Sequence, residues 1–313
     1  MNTRLLIGGL KSYLPVELSK YKGTGGTVTG AYCYSVWLRH LSRIRERVPA
    51  FDPSVLVELG PGDSIGLGLA ALLTGAQTYI GLDVLEHASP DVNLRVLDEL
   101  VALFRAHAPL PGDKEFPRLY PRLTSYAYPS GIVSDETLKR TLAPENVERI
   151  RAAVKTLSRS DGPVQYRCPW TAASVDAGSA DLVISQVALQ DMDHIPSRDA
   201  LGDSFAAMAR WLKPGGVMSH QIDFSCPAGH VWNHHWAFGD LTWTLIRGKR
   251  PYYVNRAPLS EYVSLCETHG FDVVGVDPIA RDGLRRDESA PRFRALPEED
   301  FHAAGALLIA VKR

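Results

Sequence analysis

The sequence predicts an α/β protein with a mostly parallel sheet and helices on both faces. Short apolar runs alternate with amphipathic segments along most of the chain, which is typical of parallel strands joined by helices. A glycine-containing turn follows the first apolar run directly and leads into a helical segment. The last two apolar runs are joined by a polar loop without a helical pattern, so we expect an antiparallel last strand.

Residues 1–50 are predicted to form an N-terminal helical cap. A Gly/Thr-rich stretch over 23–30 precedes a helix predicted over about 32–47. The apolar stripe of this helix, at three- and four-residue spacing, consists of Trp37, Leu38, Leu41 and Ile44. Glycine-rich segments often act as hinges, so Tyr32 and Tyr34 are candidates for a lid over a bound ligand. A disordered terminus is the alternative.

The main domain is predicted to span 51–313. Its strands are predicted at 55–59, 78–83, 164–167, 181–185, 216–223, 271–276 and 304–311. Its helices are predicted at 66–74, about 92–107, about 144–158, 197–212 and 260–269. Two insertions are expected, at about 108–160 and at 226–258. The first begins with a stretch rich in proline and tyrosine, and the second is rich in histidine and tryptophan.

Composition and charge exclude several classes of protein. The chain has 313 residues and a formal net charge of −1, which gives no long-range attraction to nucleic acid or to an anionic membrane. The longest apolar run, 65–76, is much shorter than the roughly 20 residues of a membrane-spanning helix. The four cysteines form no CxxC pair, which disfavours a disulfide framework or zinc knuckle and predicts a cytoplasmic location.

The strongest functional signal is the turn after the first strand. Two glycines, Gly60 and Gly62, let the backbone approach a ligand, and the start of the next helix favours polar or anionic groups. Asp83 ends the second strand, where a carboxylate accepts both hydroxyls of a ribose. Turn and carboxylate together predict a nucleoside-containing cofactor. The alternative is a tight structural turn beside an exposed aspartate.

Two cofactor classes use this arrangement. The spacing Gly60-x-Gly62-x-x-x-Gly66 is a variant of the nicotinamide dinucleotide fingerprint. S-Adenosylmethionine (SAM) is the other class. For SAM, Glu58 stands two residues ahead of the first glycine, where its carboxylate can organise the loop around the amino-acid part of the cofactor.

Four motifs resemble those of class I SAM-dependent methyltransferases and occur in the order of that family. They are the acidic glycine loop, Asp83, the segment Ala-Asp-Leu-Val-Ile-Ser-Gln over 180–186 and the segment Trp-Leu-Lys-Pro-Gly-Gly-Val over 211–217. The resemblance covers about 52–223 and 259–313. It implies a seven-stranded sheet with an antiparallel last strand, the cofactor SAM and methyltransferase activity.

A narrower resemblance concerns the segments 58–64, 66–73 and 219–224. They are similar to those of a bacterial methyltransferase subgroup associated with polysaccharide biosynthesis. This subgroup implies an acceptor on a surface polysaccharide or one of its precursors.

The family resemblance also implies which residues contact the cofactor. In chain order these are Glu58, Gly60, Pro61, Gly62, Asp63, Ser64, Asp83, Val84, Pro169, Trp170, Ser185 and Gln186. The first six belong to the methionine end, Asp83 to the ribose and Val84 to the adenine. The turn that contains Pro169 and Trp170 is expected to close over the adenine edge. The last two residues emerge from the fourth strand under the cofactor.

Three residues are candidates for the base that removes a proton from an acceptor hydroxyl. His220, near the end of the fifth strand, is the first choice because histidine accepts a proton near neutral pH. Subgroup relatives commonly carry a Glu-His pair after the fourth strand. The aligned pair here is Gln190-Asp191, and His194 is shifted by three positions, so Asp191 and His194 are the other candidates. A hydrogen-bonded structural group is the alternative role.

The second insertion is expected to build the acceptor site, because flat aromatic faces with polar neighbours suit a sugar ring. The residues predicted to bind the acceptor are His234, His235, Trp236, Tyr252 and Tyr253. An aromatic core is the alternative. No metal is predicted, since neighbouring histidines diverge on a strand. The basic run Arg247, Lys249 and Arg250 is interpreted as a solvated face, with an anionic acceptor group as the alternative.

The sequence therefore predicts an enzyme that transfers the methyl group of SAM to an acceptor hydroxyl, on a sugar or glycan intermediate. Two other functions stay open. One is O- or N-methylation of a small natural product, and the other is a catalytically degenerate fold that acts as a binding partner. The oligomeric state is not predicted.

Overall fold

A computed structural model describes residues 3–13, 27–157, 161–195, 198–226, 229–250 and 253–313. The first half of the Gly/Thr-rich stretch, 23–26, and the candidate acceptor residue Tyr252 lie outside the described residues. Within the described ranges, no helix has the length and apolar character needed to cross a membrane.

Seven strands form one sheet. The strands of the described chain are β1 (Val55–Leu59), β2 (Thr78–Leu82), β3 (Val164–Arg167), β4 (Ala180–Gln186), β5 (His194–Ile195), β6 (Arg198–Asp199), β7 (Leu212–Asp223), β8 (Phe271–Ala280) and β9 (Ala303–Lys312). The sheet order is β3-β2-β1-β4-β7-β9-β8, and β5 and β6 form a separate hairpin. β9 is antiparallel to both β7 and β8, and the other pairs in the sheet are parallel. The predicted α/β class, with its mostly parallel seven-stranded sheet and antiparallel last strand, is confirmed.

Helices cover both faces of this sheet. They are α1 (Thr3–Lys11), α2 (Gly30–Arg47), α3 (Gly66–Leu73), α4 (Pro90–Arg105), α5 (Asp135–Thr141), α6 (Pro144–Thr156), α7 (Ala200–Trp211), α8 (Asp240–Arg247), α9 (Leu259–Thr268) and α10 (Glu298–His302). Successive strand residues point to opposite faces. Leu56 and Leu182 therefore pack with α2, α3, α4 and α6, whereas Val57 and Val183 pack with α7 and α9.

The N-terminal region divides into two parts with different partners. α2 begins after Thr29, whose hydroxyl accepts a hydrogen bond from the backbone N–H of Tyr32. Most residues of α2 are buried, and it packs on α3 and α4 in the main core. Tyr34, a candidate lid residue, is fully buried, and its hydroxyl donates to the carbonyl of Ala108 over 2.6 Å. α1 instead packs on α8 of the second insertion.

The first insertion is held against α2 by a buried arginine. Arg39 is fully buried, and its guanidinium donates to the carbonyl oxygens of Pro111, Leu119 and Pro121 over 3.1, 3.2 and 2.7 Å. A buried guanidinium needs such acceptors, because an unpaired buried charge costs several kcal/mol, on the order of 3–5. Arg39 therefore fixes the path of the Pro/Tyr-rich segment beside the sheet.

Candidate active site

The glycine turn lies at the carboxyl ends of the parallel strands and is shaped by two left-handed residues. Gly60 and Gly62 have φ angles of 69° and 71°, a region that favours glycine. A Cβ on Gly60 would lie 2.8 Å from the Cβ of Ala188 in the loop after β4. The turn and this loop therefore approach each other closely, and glycine at position 60 leaves the space between them.

Asp83 closes the same edge from the end of β2. It is almost completely buried, and its carboxylate accepts from the backbone N–H of Gly62 over 3.2 Å and from that of Val84 over 2.7 Å. Burial raises the pKa of Asp83, and these two hydrogen bonds oppose the rise. The side chain of Val84 next to it is exposed. The residue predicted to hold the ribose and the one predicted beside the adenine are thus neighbours at the crevice edge.

Glu58 lies on β1 directly below the turn. Its carboxylate accepts a hydrogen bond of 2.7 Å from the hydroxyl of Tyr79. The pKa of Glu58 is raised to about 8, mainly by burial. The hydrogen bond from Tyr79 opposes this rise, and the charge of Asp83 adds to it. A cation beside Glu58 would favour its ionised form. The carboxyl group is therefore suited to a positively charged ligand.

Ser64 anchors the N-terminal segment to the turn. Its hydroxyl donates to the carbonyl of Thr27 and accepts from the backbone N–H of Gly66, and its backbone N–H donates to the Thr27 hydroxyl over 3.1 Å. These bonds occupy the hydroxyl that was predicted to contact the cofactor. Asp63 and Pro61 belong to the same turn, between β1 and α3.

The turn predicted to close over the adenine edge, which contains Pro169 and Trp170 and is called the adenine wall below, follows β3. Its Cys168–Pro169 peptide bond is cis, and the backbone N–H of Trp170 donates to the carbonyl of Asp83 over 3.2 Å. This bond ties the wall to the end of β2. The Trp170 ring packs edge-to-face on Trp211, with ring centroids 5.6 Å apart, and so belongs partly to the core.

A buried histidine that sequence reasoning missed supports the end of β4. His40 of α2 is fully buried, and its two ring nitrogens lie 2.8 Å from the hydroxyl of Ser219 and 2.9 Å from Oε1 of Gln186. Because Oε1 is an acceptor, Nε2 of His40 carries the proton, and Nδ1 accepts from Ser219. The Gln186 amide nitrogen donates to the carbonyl of Tyr120 over 3.3 Å. Gln186 is thereby held between α2 and the first insertion.

The residue after Gln186 has a strained backbone. Val187 has a φ of 56°, which is a genuine outlier for a β-branched residue. Its backbone N–H donates to the carbonyl of Gln221 over 2.8 Å, and its side chain is 40% exposed. Strain of this kind costs about 1–3 kcal/mol and is typical of functional sites. No local sequence signal predicts it.

Asp191 has the properties of a base. It lies in the short 3-10 turn Leu189–Asp191 after β4, and burial together with the charge of Asp223 raises its pKa to about 7. Asp223 is exposed at the end of β7. A carboxylate with this pKa accepts a proton effectively at neutral pH.

The other two candidate bases are less suited to the role. His220 is fully buried, its Nδ1 lies 2.8 Å from the Ser185 hydroxyl, and burial lowers its pKa to about 3. In this conformation the His220 ring has no exposed surface and contacts Ser185 instead. His194 in the β5–β6 hairpin lies 2.8 Å from the carboxylate of Asp199 and 3.6 Å from that of Glu261. Its ring is held between these two acidic residues beside α7.

The aromatic residues of the second insertion form a core rather than an open platform. Trp236 is 1% exposed and stacks on Phe293 with ring centroids 5.3 Å apart. His235 is also buried, which lowers its pKa to about 3, and Tyr253 packs on Trp243. Of the candidate acceptor residues that are described, His234 alone is half-buried. The structure supports the alternative interpretation of this cluster as packing.

The neighbouring basic run is partly paired. Arg247 forms an ion pair with Asp193 in the loop after β4. The Arg250 guanidinium lies 4.3 Å from the centroid of the Tyr253 ring. Over the described ranges, no group of three His, Cys, Asp or Glu side chains is arranged to hold a metal ion.

No protein-family model and no curated protein matches this sequence. Several solved structures align with most of the chain. A SAM-dependent methyltransferase from Mesorhizobium loti is 16% identical with a TM-score of 0.40, covering 87% of this chain and 96% of its own. A SAM-dependent methyltransferase from Methanosarcina mazei is 13% identical with a TM-score of 0.43, covering 84% of this chain and 93% of its own.

A third alignment is to phosphoethanolamine N-methyltransferase 2 of Haemonchus contortus, solved in complex with S-adenosyl-L-methionine. It is 14% identical with a TM-score of 0.41, and covers 91% of this chain and 57% of the other. At these identities and TM-scores the alignments carry no argument about this chain. The assignment of the fold rests on the strand order and directions described above.

Proposed function

We propose that this chain is a SAM-dependent methyltransferase that acts on a hydroxyl group of an uncharged acceptor. The observation that carries the proposal is the pair of buried carboxyl groups, Glu58 and Asp83, around a left-handed glycine turn at the carboxyl ends of the strands. Open α/β sheets bind ligands in the crevice at the carboxyl ends of their strands.

The charges at the turn favour SAM over a nicotinamide dinucleotide. Glu58, Asp63 and Asp83 are all acidic. The pyrophosphate of a dinucleotide is anionic, so it would be repelled by Asp63 and would disfavour ionisation of Glu58. The sulfonium and amino groups of SAM are cationic and would favour ionised Glu58. A carboxylate at the position of Asp83 suits the ribose of either cofactor. The residues present therefore fit SAM, with Glu58 at its charged end and Asp83 at the ribose.

Each residue of the crevice has a distinct task in this proposal. SAM, when bound, supplies an electrophilic methyl group on a sulfonium that departs as a neutral thioether. Gly60 and Gly62 leave room for the ligand at the turn, and Asp83 orients the ribose. Gln186, at the end of β4, lies under the cofactor. Asp191 removes the proton of the acceptor hydroxyl, because its raised pKa suits proton transfer near neutrality.

The carboxylates also restrict the acceptor. Asp191 and Asp223 lie close enough for the charge of Asp223 to raise the pKa of Asp191. An anionic acceptor would be repelled by both, so we propose a neutral hydroxyl compound. A sugar is compatible with this class, but the buried aromatic residues give it no particular support.

A binding and turnover experiment tests the proposal. We expect wild-type protein to bind SAM and to form S-adenosylhomocysteine with acceptors from a panel of neutral sugars and alcohols. Asp83→Ala is expected to weaken SAM binding by about 1–3 kcal/mol, since a charge-assisted pair of hydrogen bonds is lost. Asp272→Ala, which removes an exposed carboxylate on β8, is the matched control. Equal affinity of both variants would contradict the role of Asp83.

A further inference from the structure

Exposed hydrophobic side chains are concentrated on two helices outside the candidate active site. Among the described residues, eight large hydrophobic side chains are exposed. Val84 and Val187 border the crevice, and Val274 lies on the edge strand β8. The other five, which we call the α1–α8 patch, are Ile7, Leu10, Tyr13, Leu241 and Leu245.

The two helices form one packed unit beneath this patch. A Cβ on Gly9 would overlap the carbonyl oxygen of Leu245, so the helix backbones are in direct contact. On the inner side, Leu5 and Leu6 pack against the buried Trp243 and Ile246. Ile7 and Leu10 lie three positions apart on α1, and Tyr13 follows in the turn after this helix. Leu241 and Leu245 lie four positions apart on α8, so each helix presents a single apolar stripe outward.

The same two segments carry an excess of positive charge. Residues 3–13 and 240–250 contain five basic residues and one acidic residue, in a chain whose net charge is −1. The acidic residue, Asp240, is paired with Arg256 and Arg292, and the basic Arg247 is paired with Asp193. Lys249 is exposed, and its ammonium group lies 5.4 Å from the centroid of the exposed Tyr13 ring. Lys11 at the end of α1 is exposed as well.

We propose that the α1–α8 patch binds the surface of an anionic lipid bilayer. Apolar side chains with a tyrosine beside them suit the boundary between headgroups and acyl chains, and lysines next to them suit anionic headgroups. Helices of nine and eight residues are too short to cross a bilayer, so they lie flat on it.

Charge favours a membrane over a second copy of the chain as the occupant. The net charge of the whole chain gives no long-range attraction, so the attraction arises within about a Debye length of the patch. A second copy would bring a second set of Lys11 and Lys249 to the contact. Anionic headgroups instead complement these two exposed side chains.

Vesicle cosedimentation of the full-length chain tests this proposal. Vesicles of phosphatidylcholine with about one-third phosphatidylglycerol are compared with vesicles of phosphatidylcholine alone. We expect binding to the anionic vesicles only, weakened when the salt concentration is raised from about 0.1 to about 1 M. Leu10→Glu and Leu241→Glu are expected to weaken binding about tenfold or more.

The control places the same charge on another exposed hydrophobic position. Val274→Glu on β8 is expected to bind anionic vesicles as the wild type does, and circular dichroism checks that all variants are folded. Absence of binding to anionic vesicles would overturn the proposal, and so would equal loss in all three variants. A wild-type dimer that becomes a monomer in Leu241→Glu would assign the patch to self-association instead.

Discussion

Replacing Glu58 by glutamine is expected to stabilise the fold at alkaline pH and to weaken SAM binding at the same time. In the folded protein, Glu58 keeps its proton up to about pH 8, whereas a glutamate in the unfolded chain loses it near pH 4.5. Stability is therefore lost as the pH rises through this window and does not return above it. Glutamine stays neutral and still accepts the hydrogen bond from Tyr79.

The magnitude follows from the raised pKa. Moving the pKa of Glu58 from 4.5 to about 8 corresponds to about 5 kcal/mol of unfolding free energy above pH 8. For a chain of 313 residues this is a difference of about 8 °C in melting temperature. The gap between Glu58→Gln and wild type should be small near pH 4.5 and should widen up to pH 8.

Thermal melts between pH 5 and pH 9 measure this gap, and calorimetry with SAM measures the loss of affinity. We expect the variant to bind SAM about tenfold more weakly, because a carboxylate next to a cation is removed. Glu136→Gln, which changes an exposed glutamate at the start of α5, is the control. A gap in melting temperature that does not change with pH would refute the reasoning.

Three further predictions concern the end of β4. Asp191→Asn should lower the turnover number about 100-fold or more. The turnover of the wild type should rise with pH through about 7 as Asp191 loses its proton, and a flat pH profile would exclude Asp191 as the base. His40 should stay neutral down to about pH 4 with its proton on Nε2. Nitrogen NMR detects this protonation state, and titration of His40 between pH 5 and 8 would contradict its burial. Val187→Asn should raise the free energy of unfolding by about 1 kcal/mol because asparagine tolerates the left-handed backbone at this position. The control Val84→Asn should not raise it, and equal effects of the two variants in thermal melts would argue against strain at Val187.

The fold and the glycine turn were predictable because their signals are local. The strands β1, β2, β4 and β9 are largely apolar runs, and the turn at Gly60 and Gly62 follows β1 without interruption. Asp83 directly follows β2, so parallel pairing of β1 with β2 brings it beside the turn. The antiparallel direction of β9 was predictable because no helix connects it with β8 beyond the short α10.

The contacts of His40 and Trp236 were less predictable because they depend on distant partners. His40 belongs to an amphipathic helix, and its partners Gln186 and Ser219 are 146 and 179 residues away. The one sequence signal for this contact was that His40, a polar residue, lies next to the apolar stripe of α2. Trp236 stacks on Phe293 in a loop that the sequence marks as polar, so its burial had no local sign.

The predicted role of His220 illustrates the same limit. His220 does lie near the end of β7. The alternation of side chains along the strand, however, places its ring beside Ser185 of the neighbouring strand β4, where it is buried. Position along a strand predicts the edge of the sheet and not the exposure of a side chain. Asp191, in the turn after β4, keeps partial exposure and is therefore the better candidate.

Titration calorimetry of the wild-type chain with SAM and, separately, with a nicotinamide dinucleotide tests the central claim most directly. The acidic glycine turn predicts that one molecule of SAM binds per chain and that the dinucleotide does not bind. Binding of the dinucleotide, or no heat with SAM or S-adenosylhomocysteine, would contradict the proposed cofactor.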